Sequence, residues 1–134
     1  MVEKENIEKI VENIARDFSF LKNRVLAILI FGSASKGIVG EKSDIDICIV
    51  APNKNPKELL KEIFQRVDVS GKKYDVYVFE ELPLYLKMEV IKTHTIVFGD
   101  PRELGEYFYL FRKLWEDQKH RQKLTKEEML KILD

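Results

Sequence analysis

Hydrophobic and polar positions follow two rhythms along this chain. Ile7, Ile10, Val11, Ile14, Phe18 and Leu21 recur at helical spacing, which predicts an amphipathic helix over residues 3–22. Val25 to Phe31 is then an unbroken apolar run of the length of a buried strand, and Asp44 to Val50 reads as a second strand. Ala51-Pro52-Asn53-Lys54-Asn55-Pro56 is a turn cluster, with Asn55 placed to cap and Pro56 to begin a helix carrying Leu59, Leu60, Ile63, Phe64 and Val67. Ser70-Gly71-Lys72 leads into an alternating strand over residues 73–79. Pro83 opens a helix to about Lys92, and Thr95 to Phe98 is a short fourth strand ended by Gly99. Asp100-Pro101 starts a long helix with one apolar stripe, Leu104, Tyr107, Phe108, Phe111, Leu114 and Trp115. Thr125-Lys126-Glu127-Glu128 is a capping box, which predicts a separate last helix.

This alternation predicts an α/β (α+β) fold, a mixed sheet of about four strands flanked by helices, with C-terminal helices. The length of 134 residues fits one domain over residues 1–134. Lys plus Arg (23) balances Asp plus Glu (23), so no global field attracts a polyanion and long nucleic acid is disfavoured as a partner. The single Cys48 makes no internal disulfide, in keeping with a reducing cytoplasm. The longest apolar run is far shorter than the roughly 20 residues a membrane helix needs, and residues 1–5 lack the pattern of a signal peptide.

The candidate chemistry lies between the first two strands. Gly32-Ser33, Gly37 and then Ser43-Asp44-Ile45-Asp46 form a Gly-Ser turn at a strand end, followed by a carboxylate pair on the next strand. Side chains alternate across a strand, so Asp44 and Asp46 share one face, roughly 6.6 Å apart along it, and Ile45, Ile47 and Ile49 face the core on the other. Asp75 faces oppositely to Val76 and Val78 on its own strand and offers a third carboxylate. Cys48 shares the facing of Asp46 and reads as a small buried thiol; His94 reads as structural or solvent-facing.

The arrangement of Gly32, Ser33, Gly37, Ser43, Asp44 and Asp46 resembles the signature of the DNA polymerase β-like nucleotidyltransferase superfamily, with Ser35, Lys36 and Ile47 standing where the family usually has Ala, Arg and Leu. The likeness covers residues 24–99, the expected catalytic core, with a helical extension over 101–134. It implies catalysis by Asp44, Asp46 and Asp75 acting also as ligands of two Mg²⁺ (or Mn²⁺) ions, and it implies ATP as substrate. Gly32, Ser33, Lys36, Gly37 and Ser43 would bind the nucleotide. In-line transfer at the α-phosphorus suits such a site, because two divalent ions neutralise charge on the entering and leaving oxygens.

At this size the chain is closest to the minimal nucleotidyltransferases, which resemble the antitoxins that adenylylate HEPN-type toxins. The implied acceptor is then a partner protein docked on the C-terminal aromatic helix, where Tyr109 and Leu110 turn away from the apolar stripe. A second copy of the chain is the other candidate for that face. Two further readings compete: a non-catalytic nucleotide-binding partner module, and a nucleotidyltransferase acting on a small molecule.

Overall fold

A computed structural model describes the backbone of residues 2–32 and 44–133, and the side chains of 6–32 and 44–121. Helix α1 spans Val2–Asp17 and is followed by a single 3₁₀ turn, Ser19–Leu21, so the expected helix to residue 22 ends in a tighter coil. Strand β1 is Ala27–Phe31, β2 Ile45–Val50, β3 Tyr74–Val78 and β4 His94–Gly99. Helix α2, Pro56–Arg66, crosses between β2 and β3; α3 is Leu84–Lys92 and α4 is Pro101–Leu133.

The start of α2 shows the local logic. Asn55 accepts hydrogen bonds from the backbone N–H groups of Lys57 and Glu58 at 3.0 and 3.2 Å, and Pro56 occupies the position where its missing N–H costs nothing. The bidentate pair of Arg24 with Glu62, at 2.6 and 3.0 Å, ties the approach to β1 onto this helix.

The sheet has the order β3-β2-β1-β4. β1 lies antiparallel to both β2 and β4, while β2 and β3 are parallel, as a helical crossover requires. β4 carries an irregularity opposite Ile28 and Leu29, where Val97 is skipped in the pairing.

Both faces of this sheet are buried. One face carries Ile28, Ile30, Ile47 and Ile49 against Ile14 and Phe18 of the N-terminal segment and Leu59 and Ile63 of α2. The other carries Ala27, Leu29, Cys48 and Val50 against Val90 and Ile91 of α3 and Leu104 and Phe108 of α4. The sequence reading places the core on the Ile47 face alone and is corrected: the Asp46 face carries a second core that begins at Cys48, and chemistry holds only its end. This explains why the strands read as continuous apolar runs.

The separate last helix is also corrected. α4 runs unbroken to Leu133 through the Thr125 capping sequence. No Gly or Pro follows Gly105, so nothing turns the backbone out of the helix, and a capping box alone does not begin one. At 1.5 Å per residue its 33 residues extend about 50 Å, well beyond a sheet of five- and six-residue strands. From Glu116 to Arg121 every side chain is exposed. Leu114, which sequence spacing places in the buried stripe, is 48% exposed, and Phe64 of α2 is likewise on the surface. Among the described residues no helix is long and apolar enough to cross a membrane.

Candidate active site

Topology brings one end of all four strands together. Phe31 closes β1, Ile45, Tyr74 and His94 open β2, β3 and β4, and the register places Asp75, Asp46, Phe31 and His94 in one row across the sheet. Cross-strand partners share a face, so Asp46 and Asp75 stand side by side on neighbouring strands. Asp44, just ahead of β2, is exposed, whereas Asp46 and Asp75 are half-buried. Of the eight residues singled out from the sequence, Gly32, Asp44, Asp46 and Asp75 are brought together here. Ser33, Lys36, Gly37 and Ser43 lie outside the described residues.

Gly32 follows β1 with φ +71°, a conformation that side chains rarely adopt. A Cβ on it would come within 2.5 Å of Asp46 Oδ2. The turn and the second carboxylate are therefore packed on each other, and the fit requires glycine.

Burial, and then the charges of Asp75 and Asp44, push the Asp46 carboxyl above its ordinary range. Among the described residues no group of three or more His, Cys, Asp or Glu side chains is closed into a metal cage. The donor chemistry nevertheless suits a hard divalent cation: three carboxylates repel one another at a partly desolvated strand end, and Mg²⁺ keeps several waters and takes only one or two carboxylates plus substrate phosphate. Asp44 and Asp46, with Asp75 beside them, are the residues that could hold it.

Sequence reasoning missed Tyr77. Its hydroxyl donates to Asp75 Oδ2 at 2.7 Å, and its ring meets Phe31 edge-on at 5.5 Å. That hydrogen bond, then burial, leaves the phenol pKa pushed up to about 12. The only signal was position: Tyr77 is two residues beyond Asp75 on the same strand face.

The residues read as structural are so. Cys48 is fully buried, and burial pushes its thiol pKa up. His94 is half-buried, its ring meets Phe108 edge-on at 5.7 Å, and its Nδ1 lies 2.8 Å from the Val90 carbonyl. A carbonyl only accepts, so Nδ1 carries the proton.

Residues 7–98 match the model of the nucleotidyltransferase domain. A Methanocaldococcus jannaschii protein named "Putative protein adenylyltransferase" is 47% identical over 100 residues, 74% of this chain and 76% of that protein. A crystal structure of a toxin-antitoxin with AMP-PNP superposes with a TM-score of 0.70 at 20% identity, covering 89% of this chain and 98% of the matched one. A structure of tri-AMPylated Shewanella oneidensis HEPN toxin in complex with MNT antitoxin matches with a TM-score of 0.57 at 17% identity, covering 95% and 98%. The structural likenesses carry the fold; the domain match, over more than half of the sequence, and the relative at 47% identity carry the kinship, and the chain belongs to the nucleotidyltransferase family of enzymes.

Proposed function

We propose that this enzyme is a Mg²⁺-dependent protein adenylyltransferase that moves AMP from ATP to a hydroxyl of a partner protein, through Asp44, Asp46 and Asp75. The observation that carries this reading is the pairing of Asp46 with Asp75 in register at the strand end, with Gly32 packed on Asp46.

Asp44 and Asp46 would hold the two cations, with Asp75 as a further ligand. When bound, the ions supply charge neutralisation at the attacking and leaving oxygens. Gly32 lets the backbone approach the triphosphate, and Ser33, Lys36, Gly37 and Ser43 bind it in the roles the sequence assigns them. Asp75 takes the proton of the acceptor hydroxyl as its oxygen bonds to the α-phosphorus. The bond between that phosphorus and the β-phosphate oxygen breaks, and pyrophosphate leaves.

On this reading residues 24–99 are the catalytic core of a single domain, and residues 101–134 present the acceptor. Three observations support a protein acceptor, and a HEPN-type toxin in particular. The M. jannaschii relative is named for protein adenylylation. Similarly folded chains occur in toxin-antitoxin structures. On α4, Tyr109 and Leu110 are 58% and 61% exposed, an apolar face left uncovered among the described residues. Nearby, a groove of about 790 Å³ runs between α3 and α4, lined by Tyr85, Met88, Lys92, Arg112 and Trp115.

The test is incubation with α-labelled ATP, Mg²⁺ and a HEPN-type toxin from the same organism. Label is expected on that protein and is lost with a chelator. ATP binding without label on any protein would contradict the proposal.

A further inference from the structure

We propose that Tyr77 is a positioning residue for Asp75: its hydroxyl engages Oδ2 and so reserves Oδ1 for the cation and the acceptor proton. The inference rests on the role given to Asp75 above.

The geometry has three parts. First, Asp75 and Tyr77 are i and i+2 on β3, so both side chains rise on the face that also carries Asp46. The hydroxyl reaches the carboxylate at 2.7 Å, a short bond of the charge-assisted kind. Second, the phenol ring is held from the side by Phe31, at 5.5 Å and 66°. Phe31 is the register partner of Asp46 and the residue before Gly32. The ring that flanks Tyr77 therefore belongs to the same strand end as Gly32 and Asp46.

Third, the chain contains an internal contrast. Tyr74 on the same strand also donates to an aspartate, Asp17, at 2.6 Å, but Asp17 is in addition neutralised by Lys72 at 2.5 Å. That group is a closed structural link. The hydroxyl that Asp75 accepts from Tyr77 is, by contrast, a neutral donor. A neutral donor orients the carboxylate and leaves its charge available, which suits a group that must meet both a cation and a proton. Phenylalanine would fill the same space in the second core, so packing alone gives no reason for the hydroxyl.

The test uses the full chain as Tyr77→Phe, Asp75→Asn and the double variant. Three properties are read: steady-state AMP transfer, the melting temperature, and Mn²⁺ binding to nucleotide-free protein by calorimetry. Tyr77→Phe should lower kcat by about ten- to a hundredfold while KM for ATP and the melting temperature stay near wild type. It should also weaken Mn²⁺ binding severalfold. On the Asp75→Asn background the same substitution should have no further effect on Mn²⁺ binding, because the two residues act as a unit. As a second probe, Phe31→Leu keeps the hydroxyl but loosens the ring, and it should shift kcat in the same direction by less.

Wild-type kcat in Tyr77→Phe, or an undiminished effect on Mn²⁺ binding when Asp75 is already Asn, would overturn the proposal and leave the role of Asp75 standing. Normal transfer by Asp75→Asn would instead remove that role, and the proposal with it.

Discussion

The Asp46 carboxylate rests on the backbone of Gly32, so close that a single methyl group on Gly32 would stand 2.5 Å from Oδ2. No room for a side chain therefore separates Gly32, at the end of β1, from the carboxylate on β2. Gly32→Ala should strain a backbone held at φ +71° and displace Asp46 together. We expect transfer to fall roughly a hundredfold, the scale of a 1 Å misplacement of a reacting group, with helix content retained by circular dichroism. Wild-type transfer by this variant would show that the contact is incidental.

The crowding of Asp46 makes a second, purely thermodynamic prediction. Its carboxyl is held above the ordinary value of 3.8 by burial and by Asp75 and Asp44. The folded metal-free protein thus binds more protons than the unfolded chain in the window just above 3.8. Stability from this group is present below that value and is lost as pH rises through the folded one. Asp46→Asn should melt a few degrees above wild type at neutral pH in the absence of divalent ions, with the difference shrinking towards acid pH. Added Mg²⁺ should raise the wild type more than the variant. A lower melting temperature for Asp46→Asn in metal-free buffer at neutral pH would contradict this account.

Much of this site can be read from the sequence because its determinants are local. Alternation places Asp75 opposite in facing to Val76 and Val78, and local capping signals place a helix start at Asn55-Pro56, as the register and α2 bear out. Tertiary pairing decides the rest. The row from Asp75 to His94 depends on β4 lying antiparallel beside β1, and on a skipped residue at Val97 that no periodicity announces. The hydroxyl of Tyr77 gains its meaning only from its distance to Asp75. Leu114 fits the helical stripe yet is 48% exposed, because helical spacing names a face and not what covers it. The Thr125 capping sequence lies within a helix that no glycine or proline interrupts.

The exposed face of α4 gives a prediction that separates docking from chemistry. Leu110→Glu combined with Tyr109→Ser should leave the melting temperature and ATP affinity unchanged, since both side chains are mostly in water. Transfer to the protein partner should fall by about tenfold or more, as expected for central contacts of an interface. Unchanged transfer, measured at partner concentrations below saturation, would move the docking surface elsewhere.

The central claim is that the carboxylates at the strand ends perform AMP transfer. Its most direct measurement compares wild type with the Asp44→Asn and Asp46→Asn variants, using α-labelled ATP, Mg²⁺ and the partner protein, and follows label on the partner over time. The amide keeps the shape of each side chain and removes the charge that would hold the cations, so transfer should drop by several orders of magnitude while the fold persists. Label transfer at the wild-type rate by the doubly substituted protein would contradict the account.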